Sequence, residues 1–344
     1  MLVKLMKLEI LSQFEKIAAQ AWNNLLSQNA VNVPFLSYEY QRSWWEHKGG
    51  GEWPQTDLRI ITATHEEKLI GIAPLFIGTI DGKAEIHFIG SIEISDYLDF
   101  IVLPQFTQEF ISQVFGLIKE DKVQFPGTIQ LFNIPDDSPS LAIFNEIKNR
   151  NEWSIEIERA YHTPEIALCD DWDTYLAGID KKQRHEIRRK MRRAEGSEDN
   201  VKWYITSDRS TLDNDIDDFF SLMEIDEDKK HFLTDSMRKQ MRAIMHWAFD
   251  TGILQLSFLT INDDKAAGYF CFDYQDKIFV YNSGFSFDFQ YYSPGWVLLG
   301  YLIQHAIETG KTHFDFMRGD EKYKYMFGAA DGFVMKAKAE LKPD

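Results

Sequence analysis

Apolar and polar positions follow the same plan in two separate stretches of the chain. Residues 58–77, LRIITATHEEKLIGIAPLFI, form an apolar run, a polar turn and a second apolar run that contains Gly71. Residues 256–272, LSFLTINDDKAAGYFCF, repeat this arrangement with Gly268 at the corresponding place. Alternation around a turn rich in Asp, Asn and Glu predicts a β-hairpin. The sequence therefore predicts one hairpin in each half of the chain.

The elements around the two hairpins also correspond. Each hairpin is followed by a third strand, a helix and a fourth strand, and is preceded by apolar residues at helical intervals. In the first half these are the helix 9–28, the strand 84–90, the helix 107–120 and the strand 128–134. In the second half they are the helix 212–224, the strand 277–284, the helix 293–309 and the strand 312–317. A repeat whose period is a whole domain predicts a duplicated fold.

A helix, three antiparallel strands, a helix and a further strand is the element order of the GNAT (N-acetyltransferase) fold. We therefore expect the α/β class, with an α+β mixed sheet covered by helices in each of two tandem GNAT-like domains. A chain of 344 residues also exceeds what one hydrophobic core usually fills. The predicted domains are residues 1–160 and 161–344, with the weakly periodic segment 159–177 as their connection.

Composition restricts the possible partners. The net charge of −17 disfavours DNA and anionic membranes, and no apolar run reaches the roughly 18 residues of a membrane span. The two cysteines, Cys169 and Cys271, are far apart and outside any metal-ligand spacing. We expect a cytoplasmic protein without a bound metal.

Only the second half has the sequence YYSPGW before its helix. Ser293 suits an N-cap, Pro294 suits the first helical position, and Gly310 suits the residue after the helix. A helix N-terminus exposes unpaired N–H groups, and Gly295 followed by Trp296 would let a pyrophosphate approach them closely. The alternative is that Ser-Pro-Gly merely caps a buried helix.

Charged residues gather after the next strand of the second half. Residues 313–324 read HFDFMRGDEKYK, whereas the first half has QLFNIPDD, without a cation, at 130–137. Ligands in open sheets bind beyond the carboxyl ends of strands. The candidate site residues of this segment are Asp315, Arg318, Asp320, Tyr323 and Lys324. Asp315 alone also fits a solvated or salt-bridged carboxylate.

A basic helix is predicted upstream of the second hairpin. Residues 181–193, KKQRHEIRRKMRR, contain eight Lys or Arg around a narrow apolar stripe. Arg184 and Arg188 are four residues apart, so both could reach one phosphate of a donor. The alternative is a solvated face that pairs with acidic surfaces.

The segment 291–328 resembles the end of the CelD-like acyltransferases, which are GNAT-superfamily proteins linked to exopolysaccharide synthesis. FemAB peptidyltransferases are their remoter relatives. The other shared motifs are Pro34-Phe35, Trp44-Trp45, Gly71-Ile72-Ala73-Pro74-Leu75, Ser95-Asp96-Tyr97-Leu98-Asp99, the basic run before Ala194, and Asp-Phe-x-x-Gly at 315–319. The resemblance implies a double GNAT fold that transfers an acyl group to an amine.

The resemblance also implies site residues. Backbone N–H groups around Tyr281, Ser283 and Gly284 would hold the donor and the oxyanion, and Asp96 and Asp99 would face the acceptor from the first domain. Arg318 and Lys324 are the candidates for further substrate contacts. Asp315 or Asp320 is the candidate base, and Tyr323 is the candidate proton donor to the leaving thiolate. Tyr281 and Tyr323 also fit packing residues, and the two aspartates of the first domain also fit turn carboxylates.

The wider superfamily has several glycines in its phosphate loop, whereas Gly295 stands alone here. The resemblance implies acetyl-CoA or another acyl-CoA as the donor, bound by the second domain, and the single glycine counts against acetyl-CoA specifically and leaves a longer acyl-CoA open. The expected acceptor is an amine of a sugar, a sugar nucleotide or another small-molecule precursor of the cell envelope or exopolysaccharide. A FemAB-like transferase that uses aminoacyl-tRNA and a non-catalytic double-GNAT binding module are the alternatives. The tRNA-using relatives often have a long helical arm, which this chain lacks, so CoA is preferred.

Overall fold

The computed structural model describes residues 6–80, 82–92 and 94–343. Its contacts divide the chain into two compact units. The first unit runs to Tyr161 and also takes in the segment from Phe333 onward, and the second unit is His162–Gly332. The last strand of the chain thus belongs to the first unit, although the expected boundary at residue 160 assigns it to the second domain.

The first unit begins with a strand and two helices, continues with a three-stranded meander and then alternates helices with strands. Its strands are β1 (Lys7–Leu11), β2 (Thr56–His65), β3 (Lys68–Ile80), β4 (Lys83–Phe88), β5 (Ile101–Val102), β6 (Thr128–Pro135), β7 (Trp153–His162) and β14 (Phe333–Leu341). Its helices are α1 (Ala19–Leu26), α2 (Tyr38–His47), α3 (Thr107–Glu120) and α4 (Pro139–Asn149).

The second unit has the same order of elements around its meander. Its strands are β8 (Glu165–Ala167), β9 (Val201–Ile205), β10 (Leu254–Ile261), β11 (Asp264–Tyr274), β12 (Lys277–Phe285) and β13 (His313–Asp315). Its helices are α5 (Trp172–Gly178), α6 (Lys181–Glu195), α7 (Leu212–Met223), α8 (Glu227–Phe232), α9 (Asp235–Asp250), α10 (Pro294–Glu308) and α11 (Lys322–Met326).

Each unit is built on one mixed sheet. Within the described ranges the strand orders are β1-β2-β3-β4-β6-β14-β7, with β5 added beside β3, and β8-β13-β12-β11-β10-β9. In both sheets an antiparallel meander is followed by a parallel pair, β4 with β6 and β12 with β13. This shared order confirms the predicted tandem fold of the α/β class.

One local prediction is wrong, and a predicted connection that does contain the boundary between the units has more regular structure than expected. The helix predicted over 9–28 begins only at Ala19, because residues up to Leu11 form β1, an edge strand that pairs antiparallel with β2. The predicted connection 159–177 contains the end of β7, all of β8 and the start of α5. The short strand β8 forms because it pairs with the otherwise open edge of β13.

A close approach of backbones fixes the end of β12. Gly284 pairs with Gly268 of β11 and is buried beneath the end of α7. A Cβ atom added at Gly284 would lie 2.6 Å from the carbonyl carbon of Leu222 and 2.6 Å from the amide nitrogen of Met223. Because these are backbone atoms, they could not move aside cheaply. The glycine is therefore required by packing between strand and helix.

The first unit contains a buried carboxyl group, Asp99. The hydroxyls of Ser138 and Ser140 and the amide of Phe100 all donate hydrogen bonds to it. Burial nevertheless raises the pKa of Asp99 to about 6, because removal from water disfavours the charged form.

We predict that Gly284→Ala lowers the free energy of unfolding by about 1–3 kcal/mol, since the new methyl group must displace backbone. Gly295→Ala is the matched control, because its Cβ would lie 3.4 Å from the nearest ring atom of Phe285 and therefore fits. Thermal melting followed by circular dichroism measures both variants. Equal melting temperatures for the two would contradict the packing described for Gly284.

We also predict that Asp99 makes the first unit less stable as pH rises from about 4 to 6. In that window the folded protein keeps the Asp99 proton while the unfolded chain, with an ordinary pKa near 3.9, releases it. Denaturant unfolding of wild type and Asp99→Asn at pH 4.5 and pH 7 isolates the effect. Between pH 4.5 and pH 7, the free energy of unfolding of wild type should fall by on the order of 2 kcal/mol relative to that of the variant. A difference that is constant with pH, or a gain, would contradict the prediction.

Candidate functional site

The sheet of the second unit opens between β12 and β13. The two strands form parallel pairs only from Lys277 with His313 to Phe279 with Asp315. Beyond Phe279, β12 continues to Phe285. The segment that follows β13 instead leaves the sheet through Met317, which has a φ of 57°. A β-bulge at Tyr281, visible as a register shift against β11, lies at the start of this opening. The sheet therefore has a gap at the carboxyl end of β12.

A cavity of about 420 Å³ lies next to this gap. Its walls come from β11, the end of β12, the following loop, the start of α10 and α11. The lining residues are Tyr269, Ser283, Phe285, Ser286, Phe287, Gln290, Ser293, Pro294, Gly295, Trp296, Leu299 and Tyr323. Most of this surface is aromatic or aliphatic, and serine hydroxyls supply much of the remainder. Such a cavity suits a long ligand that is largely apolar and polar at one end.

The N-terminus of α10 forms one wall of the cavity. Ser293 has a left-handed backbone with φ 53° and ψ 56°, and its side chain makes no capping hydrogen bond. Pro294 lacks an N–H, and the first amide to bond back to Ser293 O is that of Val297, at 3.1 Å. The amides of Gly295 and Trp296 thus belong to the first turn, where a helix has no carbonyl of its own to offer. We call these two amides, with the end of the helix that bears them, the α10 tip.

Helix α6 places two cations beside the α10 tip. A Cβ added at Gly300 of α10 would lie 3.0 Å from the Met191 sulfur, so the glycine lets α6 pack closely. In this arrangement Lys190 Nζ lies 4.2 Å from the centre of the Trp296 ring. Arg193 Nη2 donates to Ser293 Oγ at 3.4 Å. Burial lowers the pKa of Lys190.

Two buried donors near the α10 tip lack acceptors among the residues that the structure describes. They are Nε1 of Trp296 and Nε of Arg193. A buried N–H without a partner is costly, and a bound ligand with anionic oxygens would remove that cost. The tip, two cations and two unsatisfied donors therefore favour an anion.

The basic residues singled out from the sequence lie elsewhere on α6. Arg184 Nη1 donates to the carbonyl of Ala177 at 3.1 Å, and Arg188 Nη2 donates to Asp173 at 2.9 Å. Both acceptors belong to α5. Sequence reasoning missed Lys190 and Arg193, which lie beside the same apolar stripe. The stripe indicated that α6 packs, but it gave no indication of the part of α10 that each cation would meet.

Tyr323 contributes its ring and hydroxyl to the cavity. The ring packs edge-on against Phe316, with centroids 6.0 Å apart. Burial raises the pKa of Tyr323 well above its usual range, so the hydroxyl keeps its proton at neutral pH.

The turn between β13 and α11 is held by two buried polar side chains. Asp315 accepts a hydrogen bond from the Met317 amide at 2.7 Å. Lys324 Nζ donates to the carbonyls of Arg318 at 2.8 Å and Gly319 at 3.1 Å. Lys324 also pairs with Glu321, at 2.9 Å. Asp315 and Lys324 therefore have structural contacts, whereas Arg318 is half-buried and Asp320 is exposed.

The three residues of β12 that were predicted to bind the acyl donor have different environments in the structure. Ser283 lines the cavity, its amide donates to Asn282 Oδ1 at 2.9 Å, and its carbonyl accepts from Lys229. Tyr281 packs against Phe270, with ring centroids 4.9 Å apart. Gly284 faces α7, as described above. Of these three positions, only Ser283 has a side chain in the cavity wall.

The remaining predicted site residues, Asp96 and Asp99, belong to the first unit. Asp96 is half-buried, and Asp99 is the buried carboxyl bonded by two serines. In the described ranges, no three His, Cys, Asp or Glu side chains come together as metal ligands. Within those same ranges, no helix has the length and apolar character needed to span a membrane.

Residues 181–325 match the acetyltransferase (GNAT) domain family. No curated protein sequence matches the chain significantly. The crystal structure of FemX is similar with a TM-score of 0.66 at 12% identity, over 93% of this chain and 96% of FemX. A conserved protein of unknown function from Bacteroides thetaiotaomicron VPI-5482 gives a TM-score of 0.60 at 11% identity, over 98% and 100% of the two chains.

A tandem GNAT protein from the clavulanic acid biosynthesis pathway is also similar, with a TM-score of 0.50 at 11% identity, over 99% of this chain and 100% of that one. Identities this low establish the fold alone. The family match lies on the unit that holds the cavity, and the tandem GNAT fold extends over both units.

Proposed function

We propose that the protein is an acyl-CoA-dependent N-acyltransferase whose donor binds in the second unit. The observation that carries this proposal is the α10 tip, where two helix amides adjoin Lys190, Arg193 and the apolar cavity. A helix N-terminus with nearby cations is a ready anion site, and the donor has a diphosphate followed by a long, weakly polar arm. The diphosphate matches the α10 tip with its two cations, and the long arm matches the apolar cavity.

The same geometry gives the donor a direction. With the diphosphate at the α10 tip, the pantetheine arm follows the cavity past Ser283 and Tyr323 toward the gap between β12 and β13. The thioester would then lie beside the backbone of β12 beyond Phe279, where the strand has no β13 partner. Backbone amides aimed at the carbonyl oxygen stabilise the negative charge that develops during attack.

Aminolysis forms a C–N bond, breaks the C–S bond and releases a thiolate that takes up a proton. Tyr323 is the proposed donor of that proton, because its hydroxyl lies in the cavity wall and its raised pKa keeps it protonated. The attacking amine must be neutral. Deprotonation at pH 7 costs roughly 4.6 kcal/mol for an amine of pKa 10.4 but only about 1.4 kcal/mol for one near 8. The exposed Asp320 is the candidate base for such a weakly basic amine.

The proposed acceptor is an amino sugar or another precursor of the cell envelope or exopolysaccharide. The support is the resemblance to CelD-like acyltransferases together with the modest need for base catalysis that a sugar amine has. Arg318 is the proposed contact to this acceptor, because its side chain is not fully buried.

An aminoacyl-tRNA donor is the second candidate. The observation in its favour is the outer surface of α6, where Arg189 and Arg192 are exposed beyond the two cations at the α10 tip. A tRNA complex would weaken steeply with salt, whereas CoA binding would depend on salt far less. The tandem GNAT structure from the clavulanic acid pathway, which is described as lacking AcCoA, favours the CoA donor.

We predict that CoA or acetyl-CoA at about 100 times its Kd stabilises the protein by about 2.7 kcal/mol, seen as a rise in melting temperature. Gly295→Glu should abolish this rise, since a carboxylate at the α10 tip suits the helix but repels a diphosphate. Gly178→Glu is the matched control, because that glycine is exposed with open space around it. Equal stabilisation of both variants by CoA would refute the assignment of the diphosphate site.

We predict that Tyr323→Phe lowers kcat for acyl transfer about 100-fold while changing KM for the donor less than about three-fold. The ring that lines the cavity remains, and only the proton is lost. Steady-state release of free CoA thiol, measured with an amino-sugar acceptor, separates the two constants. An unchanged kcat would exclude Tyr323 as the proton donor.

A further inference from the structure

We propose that Tyr291 and Arg193 form a stacking platform for the adenine base of the donor. This proposal rests on the proposed function, and it adds a specificity site for the nucleotide end of CoA. Tyr291 lies on the loop that joins β12 to α10, and Arg193 lies on α6.

Exposed aromatic rings concentrate on this loop. Tyr291 is 66% exposed and Phe287 is 58% exposed, and Phe285 before them is also exposed. Phe285 and Phe287 are in edge-to-face contact with each other, with centroids 5.7 Å apart, and both line the cavity. Tyr291 is not itself a lining residue, but it lies two residues before Ser293 of the cavity wall. Exposed aromatic surface at a cavity mouth indicates a ligand with an apolar, planar part.

The Tyr291 ring is held in place from two sides. Its neighbour Tyr292 is anchored, because the Tyr292 hydroxyl donates to Asp199 and bonds Ser197 Oγ at 2.7 Å. The Tyr291 ring meets that of Tyr292 edge-on at 5.1 Å, and the Arg193 guanidinium lies 4.7 Å from its centre. A ring fixed in advance loses little conformational entropy when a base stacks on it.

Arg193 links the platform to the proposed diphosphate site. The same guanidinium that lies over Tyr291 donates through Nη2 to Ser293 Oγ, and its buried Nε has no acceptor in the described part of the chain. In CoA one ribose separates adenine from the diphosphate. A base on Tyr291, two residues before Ser293, therefore leaves the diphosphate at the α10 tip. A purely apolar occupant would satisfy the rings but not Arg193.

Isothermal titration of CoA and of 4′-phosphopantetheine, which lacks the adenine nucleotide, tests the proposal. Wild type, Tyr291→Ala and Tyr291→Phe are compared. Tyr291→Ala should weaken CoA binding roughly ten-fold and leave 4′-phosphopantetheine binding unchanged, while Tyr291→Phe should bind CoA as wild type does. The phenylalanine variant retains the stacking surface and serves as the matched control.

The other outcomes are distinguishable. If wild type binds CoA and Tyr291→Ala binds it equally well, the platform is overturned while the proposed function stands. If Tyr291→Ala weakens both ligands equally, the residue supports the fold of the loop and the platform is again overturned. If wild type binds neither ligand, CoA is not the donor and both proposals fail.

Discussion

Helix α6 contacts α10 where Gly300 leaves room for Met191, and this contact determines what surrounds the α10 tip. A side chain at position 300 would push the helices apart and carry Lys190 and Arg193 with α6. The interface itself is apolar, formed by Ile187, Met191 and other members of the unit's core. An electrostatic site thus depends on a hydrophobic contact, because burial fixes the helix that bears the cations.

The opening in the sheet depends on a second constraint, the turn after β13. Lys324 donates hydrogen bonds to the carbonyls of Met317 and Arg318 in this turn, and Asp315 accepts one from the amide of Met317. These bonds direct the chain away from β12 after three ladder pairs. Within the charged segment seen in the sequence, Asp315 and Lys324 therefore shape the gap, whereas Tyr323 lines the cavity. Buried ions with several partners are typical of such structural roles.

The sequence predicted elements well where apolar periodicity was strong. Helix α3 was predicted with its observed bounds, Thr107–Glu120, and α10 within one residue at each end, Pro294–Glu308. Strand β1 was missed because an edge strand with one half-covered face has little pattern of its own. The spacing of apolar residues also could not show that Gly284 is required by close packing whereas Gly295 has room for a side chain. That difference depends on contacts of Gly284 with Leu222 and Met223, which are distant in the sequence.

The most direct test of the donor site is the amide resonance of Gly295. Transverse-relaxation-optimised NMR of labelled protein, titrated with CoA, reports which N–H groups donate hydrogen bonds to the ligand. We predict that the amides of Gly295 and Trp296 show the largest downfield proton shifts, as they would on bonding to phosphate oxygens. If CoA binds and these two resonances stay in place while others move, the diphosphate does not bind at the α10 tip.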